Sequence, residues 1–99
     1  MRMAAVLAAA LAAAPLCVSA QDSAGRNLAS GCAICHGTDG RATTKDAIAL
    51  AGVPKEHIAT QLRAFRDGKR AATVMHQIAK GYSDAQIDQL ASWFAAQKR

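Results

Sequence analysis

Cys32-Ala33-Ile34-Cys35-His36 is the stretch on which the fold turns. Two thiols three residues apart fall on one turn of a helix end, with an imidazole directly behind them. A disulfide across C-x-x-C closes a very small loop and adds little stability. A thioredoxin-like redox pair belongs near a βαβ pattern, and this chain has no convincing strand. Zinc wants about four ligands. Cys32, Cys35, His36, His57 and His76 make up the available set, so zinc is not excluded by count. The order C-x-x-C-H, flanked by glycine on a helical chain, points instead to covalent attachment of a c-type haem. Two such thiols can reach the two vinyl groups of one porphyrin, and His36 then offers a ring nitrogen to the iron from the same face.

The N-terminus supplies the compartment in which this happens. Arg2 precedes the apolar run AAVLAAALAAA at residues 4–14, followed by Pro15-Leu16-Cys17-Val18-Ser19-Ala20. Val18 and Ala20 stand where a signal peptidase reads, so residues 1–20 are expected to be a signal peptide cleaved before Gln21. A membrane anchor is the competing explanation, but Pro15 and a run of small residues make a marginal span. Leu16 is bulky where a lipid-attachment site at Cys17 wants a small residue.

Cleavage leaves 79 residues, 21–99, with a net charge of +4. Of their 34 apolar or Cys side chains, 16 are Ala, which leaves 18 larger ones to build a core. Domains of this size are marginal without a staple. A large, flat, apolar macrocycle held covalently meets that need.

The chain reads as all-α. A first helix is expected over Ser23–Ala33, carrying Leu28 toward the cysteines. Gly37, Gly40 and the polar run Arg41–Asp46 make a loop. Pro54 suits a first helical position, and Ile58, Leu62 and Phe65 then recur at i, i+4 and i+7. Gly68 ends that helix. A short helix is expected over Ala72–Lys80, stopping at Gly81. Ser83-Asp84-Ala85-Gln86 is a capping-box pattern, and Ile87, Leu90, Ala91 and Phe94 recur on one face behind it.

Haem iron needs a sixth partner or an open position. With Met1 and Met3 gone, Met75 is the one methionine left, 39 residues beyond His36. That separation lets the chain wrap the haem edge and bring sulfur to the opposite face. Core packing is the alternative for a lone Met, and His76 and His57 are rival ligands. Met/His ligation raises the reduction potential and fills both axial positions, which favours outer-sphere electron transfer over reactions at the iron.

These residues resemble a known family. Cys32 to Gly40, Leu50-Ala51-Gly52 with Pro54, Gln61 to Arg70, and the closing helix with Leu90, Trp93 and Phe94 are similar to small bacterial class I c-type cytochromes. The segment from Thr73-Val74-Met75 to Tyr82-Ser83-Asp84 most resembles the cytochrome subunits of flavocytochrome c sulfide dehydrogenases. The resemblance covers residues 22–97. It implies an all-α class I cytochrome c fold around one covalent haem. Cys32 and Cys35 would carry the thioethers, His36 and Met75 would be the axial ligands, and a flavoprotein subunit would be the electron donor. It also implies that the first and last helices cross, with Ala29 and Gly31 allowing close approach to Leu90 and Phe94. One position departs from the family pattern. Relatives carry proline two residues before the Leu-Ala-Gly element, and its carbonyl accepts the proximal histidine's N–H. Ile48 stands there, which leaves the carbonyl but loosens its constraint.

Arg63, Arg66, Lys69 and Arg70 cluster just before Met75. They are either a surface that steers an acidic redox partner or a solvated helix face. Trp93 reads as core or haem-edge packing, and Tyr82 as haem or surface packing. Four functions stay open: the haem subunit of a sulfide-oxidising flavoprotein complex, a general periplasmic electron carrier, a haem-based sensor or enzyme with a displaceable Met, and a metal-binding or disulfide-stabilised adhesion module without haem. Neither nucleic-acid binding nor a stable membrane anchor is expected.

Overall fold

The structure, a computed structural model, describes Ala5 and residues 20–45 and 47–99. The expected signal peptide lies almost wholly outside the described residues, as does Asp46 at the end of the polar loop. The described residues form five α-helices and no strand: α1 (Ala20–Ser30), α2 (Ala33–His36), α3 (Lys55–Arg66), α4 (Met75–Ala79) and α5 (Asp84–Ala95). A single 3-10 turn covers Thr38–Gly40. Among the described residues no helix is long and apolar enough to cross a membrane.

Helix α5 organises the rest. Its N-terminus is a complete capping box: Ser83 Oγ accepts the Gln86 N–H, and Gln86 Oε1 accepts the Ser83 N–H. Two of the donors that every helix start leaves open are thereby satisfied. The stripe Ile87, Leu90, Ala91 and Phe94 is buried as its spacing requires. One side of α5 packs on α1 and another on α3, while α4 packs on α3. The core joins this stripe to Ala29 of α1 and to Ile58 and Ala59 of α3, with Leu28, Leu62, Tyr82 and Trp93 packed against it.

The close approach of α1 to α5 is made at Gly25, not Gly31. A Cβ at Gly25 would stand 2.8 Å from the Gln89 carbonyl oxygen and 3.1 Å from Trp93 Cβ, whereas one at Gly31 would meet only its own turn. Ala29 is buried in the core, as its small size suggested.

Two helices differ from the sequence expectation in extent. The expected helix over Ser23–Ala33 is two helices, broken at Gly31 and Cys32. Gly31 and Cys32 donate to Leu28 and Ala29 at three-residue spacing, which tightens and ends α1. The short helix begins at Met75 rather than Ala72, because Val74 is extended in φ (−138°) and its carbonyl accepts the first helical N–H groups, from Gln77 and Ile78. Pro54 stands just before the first turn of α3 and not in it. At the other end of α3, Gly68 takes φ +74°. Lys69 N–H donates to the Ala64 carbonyl and Gly68 N–H to that of Phe65, which is a Schellman ending.

Candidate haem site

Helix α2 is one turn long, and that turn is the C-x-x-C-H motif. Cys32 precedes it, and its carbonyl accepts the N–H groups of Cys35 and His36. This places both thiols and the imidazole on a single helical turn. Both cysteines are free, Cys32 half-buried and Cys35 exposed. Burial pushes the Cys32 thiol above its ordinary range, and Cys35 adds to the shift. Cys32 is therefore held as a neutral thiol and not as a reactive thiolate.

His36 is fixed from behind. Its Nδ1 lies 2.7 Å from the Ile48 carbonyl oxygen. A carbonyl only accepts, so Nδ1 carries the proton and donates it. That fixes the tautomer and leaves Nε2 with its lone pair free for a metal. The carbonyl expected from family resemblance is thus in place without a proline ring.

Backbone geometry holds this pair in register. Gly37 adopts φ +83°, ψ +165°, and turns the chain sharply behind His36. The Gly40 carbonyl accepts from both Leu50 N–H (2.8 Å) and Ala51 N–H (3.1 Å), which closes the intervening loop. Gly52 N–H then donates to the Phe94 carbonyl at 2.9 Å, tying the same segment to the end of α5. Arg41 Nε donates to the Lys98 carbonyl at 2.8 Å and adds a second tie. Ile48 therefore sits on a loop anchored at both ends.

Met75 comes from a separate element, as the first residue of α4, and is half-buried. Of the rival ligands, His57 is exposed on α3, and His76 is half-buried with its Nδ1 buried and unpartnered. The chain returns from α4 toward the cysteines at Tyr82. Burial raises the Tyr82 hydroxyl's pKa, and the nearby Cys32 thiol adds to the shift.

The donor set fits a covalently held haem better than a bare metal ion. Among the described residues no three His, Cys, Asp or Glu side chains converge on one point, which removes the geometric basis for zinc. Apolar side chains lie open beside each candidate ligand. Ile34, between the two cysteines, is 93% exposed, and Ile48, at the His36 acceptor, is 64% exposed. Val74 and Ile78 flank Met75 and are also exposed. Apolar surface clustered at ligand positions suits a hydrophobic macrocycle.

The basic run was missing its partners in the sequence. Arg63 Nη2 pairs with Asp88 at 2.8 Å and its Nε with Asp84 at 3.3 Å. Arg66 pairs with Asp84 at 2.8 Å and with Asp67 at 3.2 Å. Arg70 lies over the Phe65 ring, 4.7 Å from its centroid, and donates to Gln61. Three of the four cations are engaged within the molecule, which fits the solvated helix face better than the open steering surface, the two readings that the sequence leaves.

Helices crossing over a C-x-x-C-H turn, with its histidine backed by a carbonyl, define a c-type haem protein of the small all-helical kind. The family model for cytochrome c matches residues 23–98, and the chain belongs to the cytochrome c family. Its members carry covalently bound haem c and transfer electrons rather than catalyse substrate chemistry. The chain is 39% identical to the cytochrome subunit of sulfide dehydrogenase of Chlorobaculum tepidum, over 84% of this chain and 74% of that protein. It is 32% identical to cytochrome c-554(548) of Halomonas halodenitrificans, over 77% of this chain and 95% of that protein. It is also 39% identical to the thiosulfate dehydrogenase electron acceptor of Thiomonas intermedia, over 71% of this chain but only 33% of that protein. The chain thus spans about a third of the last relative's length.

Proposed function

We propose that the chain is exported after removal of residues 1–20 and works in the periplasm as a one-haem electron carrier. In this reading Cys32 and Cys35 hold the haem by thioether bonds, with His36 and Met75 as its axial ligands. The observation that carries it is the 2.7 Å contact between His36 Nδ1 and the Ile48 carbonyl oxygen, on the same turn as two free thiols. When bound, the haem supplies a one-electron couple. The protein's part is to orient His36 through Ile48, to present the soft Met75 sulfur that favours the reduced metal, and to leave no axial position open to substrate.

The donor we propose is a sulfide-oxidising flavoprotein to which this chain is the haem subunit. Support comes from the 39% identity to a sulfide dehydrogenase cytochrome subunit across most of both chains. A general soluble carrier is the second reading, favoured by the relative that this chain matches over nearly its whole length. Stable co-purification with a flavoprotein from the native source separates the two.

The site itself is tested by the visible spectrum of the protein made in a haem-attaching periplasm, beside Met75→Ala. A covalent, low-spin, methionine-ligated spectrum that the substitution abolishes is the expected result. A spectrum that ignores the substitution moves the sixth ligand to His76, whose buried Nδ1 has no partner, or leaves the position open. Rapid carbon monoxide binding by the reduced protein would then revive the sensor or enzyme alternative.

A further inference from the structure

The Met75 segment is one long excursion. The chain leaves α3 at Arg66 and returns to α5 at Asp84, with α4 its only helix on the way. A loop that long opens easily unless its ends are held, and segments with few buried contacts open first. Among the described residues of this excursion, Ala79 is the one apolar side chain fully buried.

The two ends lie on helices that pack through the core, and they are joined further by charge. Arg63 and Arg66 stand on the last turns of α3, and Asp84 and Asp88 on the first turns of α5. Asp84 Oδ1 accepts from both arginines, at 2.8 Å from Arg66 Nη1 and 3.3 Å from Arg63 Nε, and Arg63 also reaches Asp88 at 2.8 Å. A carboxylate shared by two guanidinium groups is a network, and networks hold where isolated surface pairs contribute little. The arginines are also the more enclosed members, with Arg66 23% and Arg63 35% exposed. Each end suits its helix too. Basic side chains finish α3 and an acidic one starts α5, so both complement the helix dipoles.

We infer that Arg63, Arg66, Asp84 and Asp88 form an electrostatic bracket that closes the Met75 excursion and keeps the methionine on the iron. They act as positioning residues and touch neither ligand nor metal. This inference rests on Met75 being the axial ligand. The bracket sets how often the excursion opens, and hence how fast an external ligand can replace Met75.

The test uses the haem-loaded protein, Arg63→Gln/Arg66→Gln, and the conservative Arg63→Lys/Arg66→Lys. Three quantities are read: the sulfur-to-ferric-iron charge-transfer band, the rate of imidazole binding to the ferric form, and the far-UV helix melt. Opening one network of exposed pairs should speed imidazole entry about three- to tenfold. The charge-transfer band should be lost at a lower temperature while the helix melt moves much less, and the lysine variant should recover most of the difference. Added salt should speed entry in the unsubstituted protein and not in the glutamine variant. Unchanged entry rates, or a band and helix melt that shift together, would overturn the bracket. If the glutamine variant fails to load haem, the salt dependence of the unsubstituted protein decides: a salt-independent rate refutes the proposal. If the unsubstituted protein shows no charge-transfer band, Met75 ligation fails, a result distinct from a band that is present but indifferent to the bracket.

Discussion

Gly37→Ala should be among the most damaging single substitutions in this chain, although it adds one methyl group. Gly37 lies at φ +83°, ψ +165°, a region that is essentially glycine's alone and costs other residues about 1–3 kcal/mol. The added Cβ would also run into the Arg41 carbonyl, which is backbone and cannot rotate away. Making room means shifting Arg41, whose N–H donates to Thr38 and whose side chain holds the Lys98 carbonyl. Overpacking against such an atom costs about a further 1–3 kcal/mol. The expected loss is therefore about 2–6 kcal/mol, against a stability of about 4–12 kcal/mol for a domain of this length. Gly68→Ala is the internal control. Gly68 also has a positive φ (+74°), but a Cβ there meets nothing within 4 Å, so only the left-handed cost of about 1–2 kcal/mol applies. Guanidinium unfolding of the haem-loaded proteins, followed by far-UV dichroism and haem absorbance, gives both values. A Gly37→Ala loss no larger than that of Gly68→Ala, at unchanged m-value, would refute the argument from crowding.

Other substitutions probe other levels of the structure. Leu90→Ala removes a fully buried side chain from the meeting point of α1, α3 and α5 and should cost about 2–5 kcal/mol; a loss under about 1 kcal/mol would mean that the core collapses onto the gap. Ser83→Ala removes half of the capping box and should cost about 1 kcal/mol, read as a lower denaturant midpoint. Acid should loosen the join between α3 and α5. Arg66, then Arg63, hold the Asp84 carboxyl below its usual range. A lowered folded-state pKa gives stability that is complete above the unfolded value of about 4 and is lost as pH falls through the folded one. Urea midpoints should fall less steeply below about pH 4 in Asp84→Asn than in the unsubstituted protein, and equal acid slopes would count against the ion pairs.

Helix α5 was legible because independent signals agree there: the Ser83–Gln86 cap fixes its start, and Ile87, Leu90, Ala91 and Phe94 fix its face. The haem motif was legible because its chemistry is local, three side chains on one turn. What escaped the sequence was long-range. Nothing near Arg63 or Arg66 in the chain announces Asp84 and Asp88, so counting charges along the sequence leaves a steering surface and a solvated face both open and does not show the surface network that pairs them. The acceptor for His36 is a backbone carbonyl, which carries no residue-type signal. It was foreseen only through family resemblance, and Ile48 shows that the ring of a proline is not needed to place it. The resemblance points to Gly31 as a close contact, and spacing alone does not reveal Gly25, because the choice depends on where α1 meets α5.

The placement of apolar surface argues that folding and haem attachment are coupled. Among the described residues, the buried apolar set is Ala29, Ala51, Ile58, Ala59, Ala79, Ile87, Leu90, Ala91 and Phe94, and alanines make up most of it. Alanine buries little area, so this set alone gives modest stabilisation. Ile34, Ile48, Val74 and Ile78 meanwhile stay exposed; Ile34, Val74 and Ile78 stand within a few residues of Cys32, Cys35 or Met75, and the carbonyl of Ile48 meets His36 Nδ1. Ile58 and Ile87 are buried while Ile34, Ile48 and Ile78 stay outside, so part of the larger apolar surface is left uncovered, as suits a protein whose largest apolar body arrives from outside. In the proposed site, Cys32, Cys35 and His36 share one helical turn, while the Ile48 carbonyl behind His36 sits on a loop tied to the end of α5. Met75, the proposed sixth ligand, lies on an excursion in which Ala79 is the one fully buried apolar side chain, so its presentation depends on how far the rest of the chain, and α3 against which α4 packs, is already folded.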